Sequence, residues 1–283
     1  MDSPLTTTHD LAGGLGHDDL AIIDCRFSLA APERGEAEYL EGHIPGAVYA
    51  HLDRDLSGPM TGTNGRHPLP SVEHMAERFS SWGIDEPVRV VVYDDAGGQY
   101  AARLWWILRS LGHARVTLLD GGIPAWRTVR GELRTGREER APRDFRPRPH
   151  PDMAVGIASL GQYLLVDARA GERFRGATEP LDPVAGHIPG ARNHPTSANL
   201  DEQGRFLAPE ILRSRFDDVL GATPAESVVS YCGSGVTACH NLLAMEIAGL
   251  HGARLYPGSW SEWCSDSGRG VETGSGAAED SKG

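Results

Sequence analysis

Apolar residues along the chain gather in two kinds of run, and the two kinds alternate. Short, β-prone runs occur at 21–24, 88–93 and 116–119, then again at 163–167, 228–231 and 253–256. Longer stretches between them, at 72–82, 101–111, 209–220 and 236–249, read as helices. Strands that alternate with helices predict a parallel sheet covered on both faces, so the expected fold class is α/β. Ligands of such sheets bind beyond the carboxyl ends of the strands. The segment after residue 231 lies at such an end.

The pattern also repeats. Ile23-Asp24-Cys25-Arg26 is echoed by Val166-Asp167-Ala168-Arg169, and each is followed by a His-Ile-Pro-Gly-Ala, at 43–47 and 187–191. Val91-Val92-Tyr93-Asp94 is echoed by Val229-Ser230-Tyr231-Cys232, and Asp120-Gly121-Gly122 with Trp126 by Pro257-Gly258-Ser259 with Trp263. The period is roughly 140 residues, the size of a domain rather than of a solenoid unit. Two similar domains in tandem are therefore expected, at 1–133 and 152–266. Residues 134–151, rich in arginine and proline, are expected to be a solvated linker, and residues 267–283, small and polar, a frayed tail.

Charge narrows the function. Asp and Glu number 39 against 27 Lys and Arg, a net of −12, which argues against nucleic-acid or anionic-membrane partners. No apolar run is long enough to span a membrane, and the N-terminus carries no basic-then-apolar leader. Four cysteines in a chain of this length suggest free thiols and a cytoplasmic location rather than a disulfide framework. Cys232, Cys239 and His240 do not have zinc-ligand spacing, and no metal or cofactor is expected.

The most informative stretch is Tyr231-Cys232-Gly233-Ser234-Gly235-Val236-Thr237-Ala238. It puts a cysteine in a glycine-containing turn between a strand and a helix, where free N–H groups and the helix dipole stabilise an anion. The anionic thiolate is the nucleophilic form. Gly233 and Gly235 let the backbone curl so that N–H groups, including those of Val236 and Thr237, face one sulfur. The plainer alternative is a small apolar residue in a turn. A cysteine phosphatase would need an arginine six residues after the nucleophile to grip phosphate, and that position is Ala238. Sulfur transfer through a Cys232 persulfide, in two ping-pong half-reactions, suits the loop better. In the first half of the chain Asp94 stands at the equivalent position, so that half is expected to lack catalysis.

Cys232-Gly233-Ser234-Gly235-Val236-Thr237-Ala238 resembles the active-site loop of the rhodanese superfamily, in the form found in 3-mercaptopyruvate sulfurtransferases. Gly258-Ser259-Trp260 with Glu262-Trp263, and both His-Ile-Pro-Gly-Ala turns, resemble further motifs of that family. The likeness extends over nearly the whole chain and implies tandem rhodanese-like domains, each an α/β sandwich, the first inactive. It implies a sulfur donor, 3-mercaptopyruvate or thiosulfate, and a thiol, thioredoxin-like or cyanide acceptor. Gly233 and Ser234 replace the two basic residues that follow the cysteine in thiosulfate-preferring vertebrate enzymes, which points to mercaptopyruvate. A thiosulfate-preferring enzyme is the alternative donor reading. A non-catalytic rhodanese-like interaction module, or a relay to another protein's cysteine, are alternatives of other kinds.

The resemblance also assigns residues. Arg173, in Gly171-Glu172-Arg173-Phe174-Arg175-Gly176, matches a substrate-binding arginine, and arginine suits a donor's carboxylate. The family's second arginine, shortly downstream, is missing from Glu179-Pro180-Leu181-Asp182-Pro183, and Arg175 is the candidate to compensate. Asp53 and His67 match positions that form a relay with the loop serine, here Ser234. Asp24 with Arg26 and Asp167 with Arg169 occur in both halves and read as structural pairs, as do His43 and His187 in their turns. Trp105, Trp106, Trp260 and Trp263 read as packing.

Overall fold

The computed structural model describes residues 3–275. Its chain divides into two units. The first takes in the chain up to Gly58, Leu69–His150 and Asp201–Phe206; the second takes in Pro59–Pro68, Pro151–Leu200 and the chain from Leu207 onward.

In the first unit the apolar runs form β1 (Leu5–Thr6), β2 (Leu20–Asp24), β3 (Ala47–Tyr49), β4 (Arg89–Tyr93) and β5 (Val116–Leu119). All pairings are parallel, in the order β1-β5-β4-β2-β3. Helices α1 (Thr8–Gly14), α2 (Arg34–Glu41), α3 (Val72–Ser81), α4 (Ala101–Ser110) and α5 (Gly122–Thr128) connect them. Every residue of β2 is buried, as in a sheet covered on both faces. α3 begins with Ser71, whose hydroxyl accepts the His74 N–H, a capping bond the sequence makes available at that point.

The second unit is a smaller version. It has β6 (Leu164–Asp167), β7 (Arg192–Asn193), β8 (Val228–Tyr231) and β9 (Arg254–Leu255), all parallel, in the order β7-β6-β8-β9. Its helices are α6 (Gly171–Phe174), α7 (Pro209–Leu220), α8 (Ala238–Ile247) and α9 (Ser259–Trp263). The helix expected from 236 starts two residues later, because Gly235 is left-handed at φ 76° and Val236 and Thr237 still belong to the turn.

The duplication is repeated in the contacts. In register, Asp24 pairs with Tyr93 and Asp167 with Tyr231. Arg26 grips Asp24 through Nε and Nη2 and donates to Gly42 O at 2.8 Å; Arg169 does the same with Asp167 and Gly186 O at 2.7 Å. His43 Nδ1 donates to Tyr39 O at 2.8 Å, and His187 Nδ1 to Phe174 O at 2.7 Å. These are scaffold roles. Trp105 and Trp106 are buried on α4, and Trp260 lies in the second core beside Phe174, Tyr231 and Tyr256.

Two expectations change. Residues 134–150 are not a free connector but pack on the first unit. Arg134 bridges to His43, the N–H groups of Arg143, Arg148 and His150 donate to Ser80 O, Leu111 O and Ser110 O, and Phe145 sits edge-on to Phe79 at 4.9 Å. Orphan carbonyls at helix ends attract such a strand of donors, which composition does not reveal. Residues 267–275, expected to fray, are also tied down: Glu272 exchanges backbone bonds with His187, and its carboxylate accepts the Gly190 N–H at 2.9 Å. The rest of the expected tail, 276–283, lies outside the described residues. No helix among those described is long and apolar enough to cross a membrane.

Candidate active site

Cys232 follows β8 directly and is 2% exposed. Its loop is clamped by the turn before α9. The Cys232 N–H donates to Ser259 Oγ at 3.1 Å, and that hydroxyl donates to Tyr256 O at 2.9 Å. In return the N–H groups of Trp260 and Ser261 donate to Cys232 O at 3.0 Å and Gly233 O at 2.9 Å. Ser259 adopts a left-handed φ of 55°, a costly conformation for a non-glycine, whereas Gly122 holds the corresponding place in the first unit at 57°. A β-carbon on Gly235 would lie 2.3 Å from Pro257 O, so this position admits only glycine.

The Gly235 N–H donates to Cys232 Sγ at 3.1 Å. The N–H groups of Gly233, Ser234, Val236 and Thr237 donate to no group among the described residues. With α8 starting at Ala238, this is a cradle of donors that a second sulfur on Cys232 could enter. The first unit shows the same loop filled from within. Asp94, fully buried, accepts the N–H groups of Ala96, Gly98, Tyr100 and Ala101 at 2.8–2.9 Å. Its own carboxylate occupies the cradle, at the position where the second unit carries Cys232.

Residues 59–68 bring two further side chains to the second unit's loop. The Arg66 N–H donates to Ser261 Oγ at 3.1 Å, which seats the segment beside the α9 turn. His67 Nδ1 then lies 2.7 Å from Ser234 Oγ, both residues being buried. Asp53 belongs to the first unit, where its N–H donates to His51 Nδ1 at 3.1 Å.

Arg173, on α6, reaches the loop as expected. Its Nη2 and Nη1 lie 3.5 and 3.6 Å from the place a β-carbon on Gly233 would take. Arg175 does not join it: half-exposed, it faces Glu172 at 3.7 Å and folds over Gly171. The second guanidinium at the loop is instead that of Arg66, whose Nη2 is 2.9 Å from the same point. Sequence reasoning passed over Arg66, although it sits beside His67 in Gly65-Arg66-His67-Pro68. Behind the two arginines stand Glu179 and Asp182. Burial pushes the Glu179 carboxyl up, but its hydrogen bonds with Arg173 and the backbone prevail and hold it below the usual range. At Asp182 burial prevails over Arg66 and the carboxyl is raised.

The other three cysteines are buried and not in disulfides. Burial pushes Cys264 up to about 11, with the Asp182 charge adding to it, and burial beside Asp24 and Asp94 pushes Cys25 well up. Cys239 Sγ donates to Gly235 O at 3.4 Å and so braces the loop from α8. Among the described residues no cluster of His, Cys, Asp and Glu could hold a metal ion.

A sulfur nucleophile at a strand end, in a loop of main-chain donors on the second of two tandem copies of one α/β scaffold, defines a class that comparison with known proteins identifies. The rhodanese-like domain matches residues 7–128 and 152–266, and the chain belongs to that family. It is 48% identical over 278 residues, 95% of this chain and 98% of the other, to a Pseudomonas aeruginosa protein named "Probable 3-mercaptopyruvate sulfurtransferase". A Mycobacterium tuberculosis relative, 42% identical over 279 residues, 95% of this chain and 97% of its own, is named "Putative thiosulfate sulfurtransferase SseB". Among solved structures, 3-mercaptopyruvate sulfurtransferase from Leishmania major superposes with a TM-score of 0.84 at 31% identity, over 92% of this chain and 74% of that one.

Proposed function

We propose that this protein is a sulfurtransferase that takes sulfur from 3-mercaptopyruvate onto Cys232 and delivers it to a thiol, thioredoxin-like or cyanide acceptor. The Cys232 thiolate attacks the donor's sulfur. A sulfur–sulfur bond forms, the donor's carbon–sulfur bond breaks, and its electron pair leaves as the enolate of pyruvate, which a proton converts to pyruvate. In this reading Ser234, 2.7 Å from His67, donates to that developing enolate oxygen, with Asp53 as the proposed third member of the relay. In the second half-reaction an acceptor thiolate or cyanide attacks the outer sulfur and the Cys232 thiolate departs. Gly233, Gly235, Val236 and Thr237 supply the main-chain cradle for the outer sulfur. A reducing compartment such as the cytoplasm would keep Cys232 reduced between turnovers.

The observation that carries this reading is the pair of guanidiniums, Arg66 and Arg173, against Gly233, the residue that follows Cys232. Neither belongs to the loop, so the donor's carboxylate can be gripped while its sulfur meets Cys232. The same pair favours a second reading, thiosulfate as the donor, because a sulfonate also accepts from arginine. An inactive binding module is disfavoured by the open cradle at Cys232, since the first unit's Asp94 shows what a closed one looks like.

The deciding experiment combines mass and rate. Incubation with 3-mercaptopyruvate is expected to add one sulfur mass to the wild type and none to Cys232→Ser, whose hydroxyl is a far weaker nucleophile. With cyanide as common acceptor, kcat/KM for mercaptopyruvate is expected to exceed that for thiosulfate. Substantial turnover by Cys232→Ser would remove the assignment, and a wide preference for thiosulfate would reverse the choice of donor.

A further inference from the structure

The two carboxylates behind the arginine pair are buried as completely as core residues, each side chain keeping 3% of its surface. A carboxylate in such a place is tolerated only when it is paired and fully hydrogen-bonded. Glu179 accepts from Arg173 Nη2 at 2.6 Å and Nε at 3.2 Å, and from Arg169 Nη1 at 3.2 Å. It also accepts the N–H groups of Leu181 and Asp182 at 3.1 and 3.2 Å, so the turn it begins holds it rigid. Asp182 accepts from Arg66 Nη1 and, at 3.4 Å, from Arg173 Nη2.

Each guanidinium is therefore held by one edge and open at the other. Arg173 Nη1 and Arg66 Nη2 donate to no group among the described residues, and both lie against Gly233. The formal charges of this cluster cancel: Arg66, Arg169 and Arg173 face Asp167, Glu179 and Asp182. A neutral cluster with two aimed donors suits one carboxylate. It offers no surplus positive charge for a dianion such as thiosulfate.

We infer that Glu179 and Asp182 are positioning residues that set donor choice, aiming the open edges of Arg173 and Arg66 at a single carboxylate and cancelling the charge a dianionic donor needs. The inference rests on the reading of Cys232 as the sulfur carrier and deepens it to the selection of its donor. Removing one buried negative charge changes binding of a charged ligand by about tenfold, the scale of one hydrogen bond to a charged group.

Asp182→Asn and Glu179→Gln test it, with kcat and KM measured for both donors on the same preparation, so that any unfolded fraction cancels in the ratio. Asp182→Asn is expected to raise the thiosulfate-to-mercaptopyruvate ratio of kcat/KM by about tenfold, chiefly through a lower KM for thiosulfate. Glu179→Gln is expected to raise KM for mercaptopyruvate by about tenfold with a smaller change in kcat, because Arg173 loses its aim. Glu172→Gln removes the same charge from an exposed site in the same stretch and is expected to leave the ratio within about twofold. If Asp182→Asn fails to fold, Asp182→Ser leaves room for water beside Arg66 and carries the same expectation. Ratios in the Asp182 and Glu179 variants no different from that of Glu172→Gln would overturn the inference alone. A wild type that gains no sulfur on Cys232 from either donor would overturn the underlying reading with it.

Discussion

At the scale of the residue, Arg173 and Arg66 are chemically alike and differ in how they come to the loop. Arg173 arrives on α6, in a segment whose resemblance marks it; Arg66 arrives on residues 59–68, a stretch with no apolar periodicity to announce where it docks. If both grip the donor's carboxylate, Arg173→Ala and Arg66→Ala should each raise KM for mercaptopyruvate, with a smaller fall in kcat. The loss of a charged hydrogen bond is worth about 1.5–3 kcal/mol, or roughly 10- to 150-fold in kcat/KM. Lysine should restore only part, because it lacks the planar fork. A merely structural arginine would lower the melting temperature and leave the kinetics of the folded fraction as they were. Arg175→Ala, facing Glu172 at the surface, should do little to either.

At the scale of the element, one strand–loop–helix unit is used twice with different fillings. After β8 the cradle surrounds a thiol and keeps donors open; after β4 it closes on Asp94. Asp94→Asn would turn an amide N–H₂ toward one pair of these backbone donors, which then lose their acceptor. We expect a loss of about 2–4 kcal/mol in denaturant unfolding, with sulfur transfer by the folded fraction unchanged. An Asp94→Asn protein as stable as the wild type would show that the carboxylate does not anchor its loop. The loop after β8 is equally intolerant of Cβ at Gly235, where the carbonyl of Pro257 stands in the way.

At the scale of the whole molecule, each unit closes with a strap that returns to its His-Ile-Pro-Gly-Ala turn. Arg134 and Glu138 serve the first turn, with Glu138 accepting the Gly46 N–H at 3.3 Å; Glu272 serves the second. Ending the chain at Asp266 removes the second strap, including the backbone exchange with His187 and the Gly274 N–H bond to Arg175 O. Such a truncation should lose about 2–5 kcal/mol, seen as a lower melting temperature of the second unit, since a handful of backbone hydrogen bonds disappears together. If the truncated chain melts like the full one, the strap is ornament rather than closure.

The duplicated α/β scaffold, the strand end at Cys232, the aspartate at the matching place and the identity of Ser234 and His67 as partners were all legible in the sequence. The first three are carried by local periodicity, by repetition of short motifs, or by residue types that a named chemistry requires; the pairing of His67 with Ser234 was implied by the family resemblance alone. What the sequence left open depended on residues far apart along the chain. Arg66 meets a loop more than 160 positions away, a separation no local pattern encodes. Arg175 turned to the surface because it stands two residues after Arg173, at the C-terminal cap of α6, and side chains two apart along a helix face different sides. Glu179 and Asp182 read as the absence of an arginine until burial showed them holding two. Burial and long-range pairing are properties of the folded chain: whether a charge is solvated, paired or aimed is settled only when the backbone has brought its neighbours within a few ångströms.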